Sequence, residues 1–246
     1  ATGHRRNLQD VRARAGEAAW RSFELQEADI TGLRSCQEAC RGVELVLHQA
    51  ALGSVPRSME APLATHAANG GGTLHMMLAA RDAGCARFVY ASSSSVYGDH
   101  PELPKVEERI GRPLSPYAAS KRIDEIYAEA LLQAYGFPAV GLRYFNVYGP
   151  RQDPDGAYAA VIPRWIDNLL HGGQPVMYGD GKTSRDFCYV ANVVQANLLA
   201  AHAPEAALGR AVNIALGGRT TLEQLYRGIR DGLAVHGVPC AGVEPR

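Results

Sequence analysis

No apolar run in this 246-residue chain approaches the length of about eighteen residues needed to span a bilayer. The opening residues, ATGHRRNLQD, hold no apolar signal core. Neither sign of charge is in excess: Lys+Arg and Asp+Glu stand at 25 each, so neither a nucleic-acid nor an anionic-membrane partner is expected. Cysteine is scarce, with five residues at 36, 40, 85, 188 and 240, no CxxC pair and no scaffold-like density. Cys36 and Cys40 lie one helical turn apart with no second pair at zinc spacing, so they read as small helix residues and no metal site is expected. That usage suits a reducing, cytoplasmic setting. Internal repeats and low-complexity tracts are missing too.

What is present alternates short β-rich runs with longer helical ones. FELQEADI (23–30) reads as a strand, TGLRSCQEACRG (31–42) as a helix, and VELVLHQAA (43–51) as a buried parallel strand. NGGG (69–72) falls within or beside a helix at 73–84, and ARFVYASSSSVYG (86–98) is a strand ending in serines. A long helix should run from SPY to Gly136, and PAVGLRYFNVYG (138–149) is a further strand. After residue 150 the rhythm breaks into Gly-, Pro- and Asp-rich sequence with one short helix near 159–171, before DFCYVANVVQANLLAAH (186–202) resumes strand then helix. This is the pattern of an α/β fold, a doubly wound parallel sheet. The expected division is an α/β domain at 1–150 and a smaller region at 151–246, with 186–203 returning to the sheet layer. Such sheets commonly open on strand–GxGxxG–helix, but here that fingerprint is absent. NGGGT and GDGKTS are read as turns.

SPYAASK (115–121) raises the chemical question. Ser115 can cap a helix and Pro116 suits its first position. Tyr117 and Lys121 then share a face at i and i+4. A cation near a phenol favours the phenolate, which makes a base out of tyrosine. Spacing alone also fits an ordinary solvated pair. The hydroxyl cluster ASSSSVYG (91–98), at the carboxyl end of a parallel strand where open α/β sheets place ligands, makes the chemical reading the stronger one.

SSSSVYG, SPYAASK, LRYFNVYGP and HQAA together resemble the extended short-chain dehydrogenases that act on nucleotide sugars. HQAALGSVPRS, YGDHPELPKVEE, RQDPDGAYAAVIPRW and GDGKTSRDFCYV are most similar to UDP-N-acetylglucosamine 4-epimerases of polysaccharide synthesis. The resemblance implies a Rossmann-like sheet, bound NAD, a UDP-sugar substrate and a homodimer. By position, it implies that Ser93, Tyr117 and Lys121 are catalytic. Asp29 and Ile30 would hold adenine, and Leu47, Gln49, Ala50 and Ala51 would pass the cofactor's phosphates and ribose. Tyr144, Phe145 and Val147 would lie along the nicotinamide, and Lys121 would also hold its ribose. Gly53, Ser54 and Ser94 would line the sugar, and Asn146 would touch its diphosphate. Ala160, Val161, Trp165, Val176, Tyr178 and Arg185 would hold uridine and pyrophosphate, with a guanidinium apt for phosphate at Arg185. His48 is read as a satisfied core histidine. Ile123, Ile126, Ala130 and Leu131 fit either a dimer seam or the core.

The implied reaction is a hydride shuttle at sugar C4 through a transient 4-keto sugar, with Tyr117 as base. Related 4,6-dehydratases follow their threonine with Asp-Glu, whereas Ser94 and Ser95 stand here, which disfavours water removal. The alternatives are UDP-glucose 4-epimerisation, UDP-glucuronate decarboxylation, a uronic-acid substrate, or a sugar-nucleotide-binding module that holds no NAD tightly. The last follows from the missing first βαβ portion and from an end at GVEPR, ahead of a further segment in relatives; both imply an inactive fragment as well.

Overall fold

A computed structural model describes residues 3–155 and 159–246; Gly156, Ala157 and Tyr158 of the RQDPDGAYAAVIPRW segment lie outside the described residues. In chain order the helices are α1 (Arg5–Trp20), α2 (Leu33–Ala39), α3 (Val55–Glu60), α4 (Pro62–His66), α5 (Gly72–Asp82), α6 (Pro116–Tyr135), α7 (Val161–Leu170), α8 (Val190–Ala201) and α9 (Leu222–Val235). The strands are β1 (Leu45–His48), β2 (Arg87–Ser93), β3 (Ala139–Tyr144), β4 (Asn146–Tyr148), β5 (Ser184–Arg185), β6 (Phe187–Tyr189), β7 (Ala211–Ile214) and β8 (Thr220–Thr221).

Two compact units divide the chain. One comprises 29–148 and 184–220, and the other 1–28, 149–183 and 221–246. The larger unit is built on a sheet of order β1-β2-β3-β7, with all three pairings parallel. Parallel strands buried on both faces need helices on both sides. Phe88 and Tyr90 of β2 pack with Met77 of α5, Ala128 and Leu131 of α6, and Cys36 of α2. Val89, alternate in the strand, packs with Val140, Leu142 and Ala200 of α8. This is a doubly wound, Rossmann-like sheet.

Gly141 shows how closely that sheet is filled, since a Cβ there would stand 2.6 Å from the Tyr90 ring. Leu131 belongs to this core, whereas Ile126 on the same helix is 50% exposed. Ala130 is exposed as well. The smaller unit has its own core, where Trp165 and Leu169 of α7 meet Tyr226 of α9 and Cys240. The start of α9 carries a reciprocal cap: Gln224 N donates to Thr221 Oγ1 at 3.1 Å and Thr221 N to Gln224 Oε1 at 2.9 Å.

One expected element is not formed. Residues 23–30 form no strand among the described residues, Ile30 standing in a turn, and Phe23 and Leu25 are exposed. Alternating β-branched and apolar residues make a strand only when a neighbour takes up the backbone donors and acceptors. The 138–149 run is also not one strand but two, β3 and β4, broken at Phe145, whose N–H turns to Ile214 O at 3.2 Å.

Candidate active site

The rim at the carboxyl ends of β1, β2 and β3 is where the sequence places its chemistry. β2 runs out at Ser93, opposite Tyr144 of β3, and a single 3-10 turn follows over Ser94–Tyr97. Ser93 Oγ caps that turn by accepting from Ser95 N at 3.2 Å. Gly98 then reverses the chain at φ +51, and a Cβ there would lie 1.8 Å from Arg112 O. Only glycine allows that close return of the 99–113 segment.

Tyr117 and Lys121 arrive on α6. Ser115 Oγ accepts from Ala118 N at 3.1 Å, Pro116 occupies the first turn, and Gly136 ends the helix at φ +66. The expected boundaries therefore hold at both ends. Lys121 is 3% exposed and donates to Ala91 O of β2 at 2.8 Å and to Asp124 Oδ2 at 3.3 Å. The lysine is thus not a solvated partner but an ammonium driven inside against the active strand.

Ser92, one residue before Ser93, belongs to a different assembly. It is buried and donates to Glu125 Oε1 at 2.6 Å. Arg143 of β3 grips the same carboxylate with Nε at 2.8 Å and a second nitrogen at 3.0 Å, and Arg122 adds a bond at 2.9 Å. Burial pushes the Glu125 carboxyl up, but these donors outweigh it and leave the carboxyl below its usual range. Arg143 continues to Tyr97 Oη at 3.1 Å, and Tyr97 donates to Asn213 Oδ1 of β7 at 2.6 Å. α6 is thereby tied to three strands of the sheet behind Tyr117.

The β1 end is open. Leu47 is 46% exposed, and Gln49, Ala50 and Ala51 after it are exposed. Gln49 accepts from Tyr144 Oη at 3.0 Å and donates to Asn197 Oδ1 of α8 at 2.9 Å. Asn197 Nδ2 returns to Tyr144 Oη at 2.7 Å, which closes a polar triangle. Phe145 rests on Tyr97 with ring centroids 6.3 Å apart. Val147 follows in β4, half-buried. Asn146 is exposed and donates to Asp186 O at 2.9 Å. Asp29 is exposed, and its carboxylate accepts from Thr31 N at 2.9 Å, a bond that holds it below the usual range. Ile30 next to it packs so closely on Gly72 that a Cβ there would meet its Cδ1 at 2.7 Å. Gly53 is exposed, half-buried Ser54 caps α3 by accepting from Arg57 N at 3.2 Å, and Arg185 is exposed in β5.

The expected uridine residues divide between the two units. Arg185 belongs to the larger one, and Ala160, Val161, Trp165, Val176 and Tyr178 to the smaller. There Val161, Trp165, Val176, Tyr178 and Arg164 line a cavity of about 270 Å³. Ala160 precedes α7 as its N-cap residue. Trp165 serves two ends, lining the cavity while packed edge-on against Tyr226 at 5.5 Å and donating to Val176 O at 3.0 Å.

Several polar residues central to this arrangement escape sequence reasoning. Asn69 sits in a π turn (Ala67–Gly71), fully buried. It accepts from Leu52 N at 2.7 Å and donates to Leu52 O at 3.1 Å and Ser120 Oγ at 3.1 Å, pinning the loop after β1 to α6. Asn197, Asp124 and Glu125 were equally silent, because nothing in a helical run marks which polar side chain turns inward. His48 meets its expectation: it is buried, its Nε2 lies 3.1 Å from Thr73 Oγ1, and burial, then Lys121, lowers it to about 4.

The rim can be tested as a dinucleotide seat. Exposed apolar Leu47, Ala50 and Ala51 at the end of β1, and on α6 a buried ammonium with one donor direction still uncommitted, fit the nicotinamide-ribose half of NAD. Among the described residues no glycine-rich strand–turn–helix offers itself to the pyrophosphate.

The fold and rim define a dinucleotide-type α/β protein with a tyrosine–lysine helix. The chain belongs to the NAD dependent epimerase/dehydratase family, whose model matches residues 2–215. It is 40% identical to the UDP-N-acetylglucosamine 4-epimerase of Methanobrevibacter ruminantium M1, solved in complex with UDP-N-acetylmuramic acid, over 81% of this chain and 63% of that one (TM-score 0.78). The UDP-glucose 4-epimerase of Mycolicibacterium smegmatis is 36% identical over 84% of this chain. This chain spans 64% of that curated relative's length. The Thermus thermophilus UDP-glucose 4-epimerase, solved with NAD, is similar at 29% identity over 97% of this chain and 80% of that one (TM-score 0.77).

Proposed function

We propose that this chain carries the catalytic core of an NAD-dependent UDP-N-acetylhexosamine 4-epimerase. The observation that carries the reading is Lys121, an ammonium buried on α6 one turn from Tyr117 and bonded to the strand that ends in Ser93. When bound, NAD supplies hydride acceptance and return at sugar C4. Tyr117, as phenolate, takes the proton of the 4-hydroxyl and later gives it back. Ser93, with Ser94 beside it, hydrogen-bonds that oxygen as its charge changes. Lys121 keeps the phenolate favourable and reaches the nicotinamide ribose with its remaining donor. Tyr144, Phe145, Val147, Leu47, Gln49, Ala50 and Ala51 form the cofactor side, and Asp29 and Ile30 its adenine end.

Gly53 and Ser54 leave room at the sugar end, Asn146 and Arg185 take the diphosphate, and the cavity of Val161, Trp165, Val176 and Tyr178, with Ala160 at its helix start, takes the uridine. The N-acetylated substrate is supported by the Methanobrevibacter relative named above. UDP-glucose is the second reading, favoured by the Mycolicibacterium and Thermus relatives. Exposed Ile126 and Tyr127 on α6, with Met59 and Leu63 on α3 and α4, support pairing of two copies through that face.

The test is to supply NAD with UDP-N-acetylglucosamine or UDP-glucose and to separate the galacto products. Conversion of the N-acetylated sugar should exceed that of UDP-glucose, and Tyr117→Phe should cut turnover by about 10²- to 10⁴-fold. Near-normal conversion by Y117F removes Tyr117 from the reaction.

A further inference from the structure

Behind Lys121 the chain buries an acid that hydride transfer does not use. Asp124 follows Lys121 on α6 and is 1% exposed, with Oδ2 3.3 Å from the ammonium. Its other oxygen, Oδ1, is buried without a hydrogen-bond partner among the described residues. A carboxylate in that state is costly to ionise. Burial accordingly pushes Asp124 up to about 7, although Lys121 and the Thr73 hydroxyl pull the other way.

The groups around it come from four elements. Glu125, its neighbour on α6, opposes its ionisation. Thr73 lies on α5, and His48 of β1, bonded to Thr73, is held neutral by burial and then by Lys121. Tyr90 of β2 keeps its proton, raised first by burial and then by Glu125 and Asp124. Lys121 is therefore the cation that Asp124 meets directly.

We propose that Asp124 is a positioning residue that sets how much positive charge Lys121 presents to Tyr117. The idea rests on the reading of Tyr117 and Lys121 as base and partner. Ionised, Asp124 offsets the ammonium and makes the phenol harder to ionise. Protonated, it leaves the ammonium uncompensated and the phenolate easier to form. Tyr117, Lys121 and Asp124 stand at i, i+4 and i+7 of α6, two turns along one helical face.

The experiment is a ¹³C NMR titration of the chain labelled at tyrosine Cζ, with the Tyr117 signal assigned by Tyr117→Phe. In Asp124→Asn the ionisation constant of Tyr117 should rise about three- to tenfold, the effect of deleting a charge roughly two turns away. The wild-type Tyr117 signal should also carry a second inflection at the Asp124 value of about 7, and D124N should lose it. A Tyr117 titration identical in wild type and folded D124N overturns the proposal. Should D124N not fold, Thr73→Val serves instead: removing the hydroxyl that favours ionised Asp124 should move the second inflection to higher pH, and an unmoved inflection overturns the proposal. Lys121→Met separates the two readings. If that change leaves the Tyr117 titration untouched, both the base–partner reading and the role of Asp124 fall. If Tyr117 responds to Lys121 but ignores position 124, only the role of Asp124 falls.

Discussion

At the scale of single residues, Glu125 decides how firmly the tyrosine helix is seated. Three donors converge on one buried carboxylate: Ser92, Arg122 and Arg143. Removing it leaves Arg143, 3% exposed, as an uncompensated charge inside the protein. Glu125→Ala should cost about 3–5 kcal/mol in urea unfolding. The acid's position in sequence, four after Lys121, was plain; its inward aim was not. A helix repeats too loosely for spacing to show which of Asp124, Glu125 and Glu129 turns toward the sheet, and the structure answers that only Glu129 stays outside. Tyr117 and Lys121 were readable because a capped helix fixes their common face from its first residue. Asn69 was not, since its role depends on a π turn that no local pattern announces.

Among elements, α6 and the strands β1, β2 and β3 follow from period and punctuation, with Ser115, Pro116 and Gly136 marking the helix to the residue. The failure at 23–30 has a definite cause. A strand is a property of a pair, and the local run carries no information about whether a partner stands beside it. The turn after β2 depends on one position in a similar way. Gly98→Ala would drive a methyl group into Arg112 O and force a left-handed backbone on alanine. We expect a loss of about 1–3 kcal/mol in thermal or urea unfolding, with the 99–113 segment displaced.

For the molecule as a whole, the two buried acids of α6 give stability opposite dependences on pH. Glu125 has its folded value depressed, so its contribution is complete above its unfolded value of roughly 4.3 and is lost as pH falls through the folded value. Asp124 is raised to about 7, so its contribution is complete in acid. It is lost as pH climbs from the unfolded value, roughly 3.9, toward the folded one. Buried His48, lowered to about 4, adds the opposite slope below its unfolded value of roughly 6.5 in both proteins. Urea midpoints measured across pH 5 to pH 8 should therefore change less favourably with rising pH in wild type than in Asp124→Asn; equal slopes in the two would contradict the assignment.

The same division of labour within β2 has a genetic corollary. Ser92 and Ser93 look interchangeable on paper, yet they occupy opposite parities of one ribbon, the first locked to Glu125 and the second at the open edge. Exchanging either for threonine keeps the parity. Dropping a single codon between Arg87 and Ser92 would not: with Arg87 held in place, Ser93 would turn inward toward Glu125 and Ser94 would be drawn to the rim, so the register of this strand decides which hydroxyl does which job.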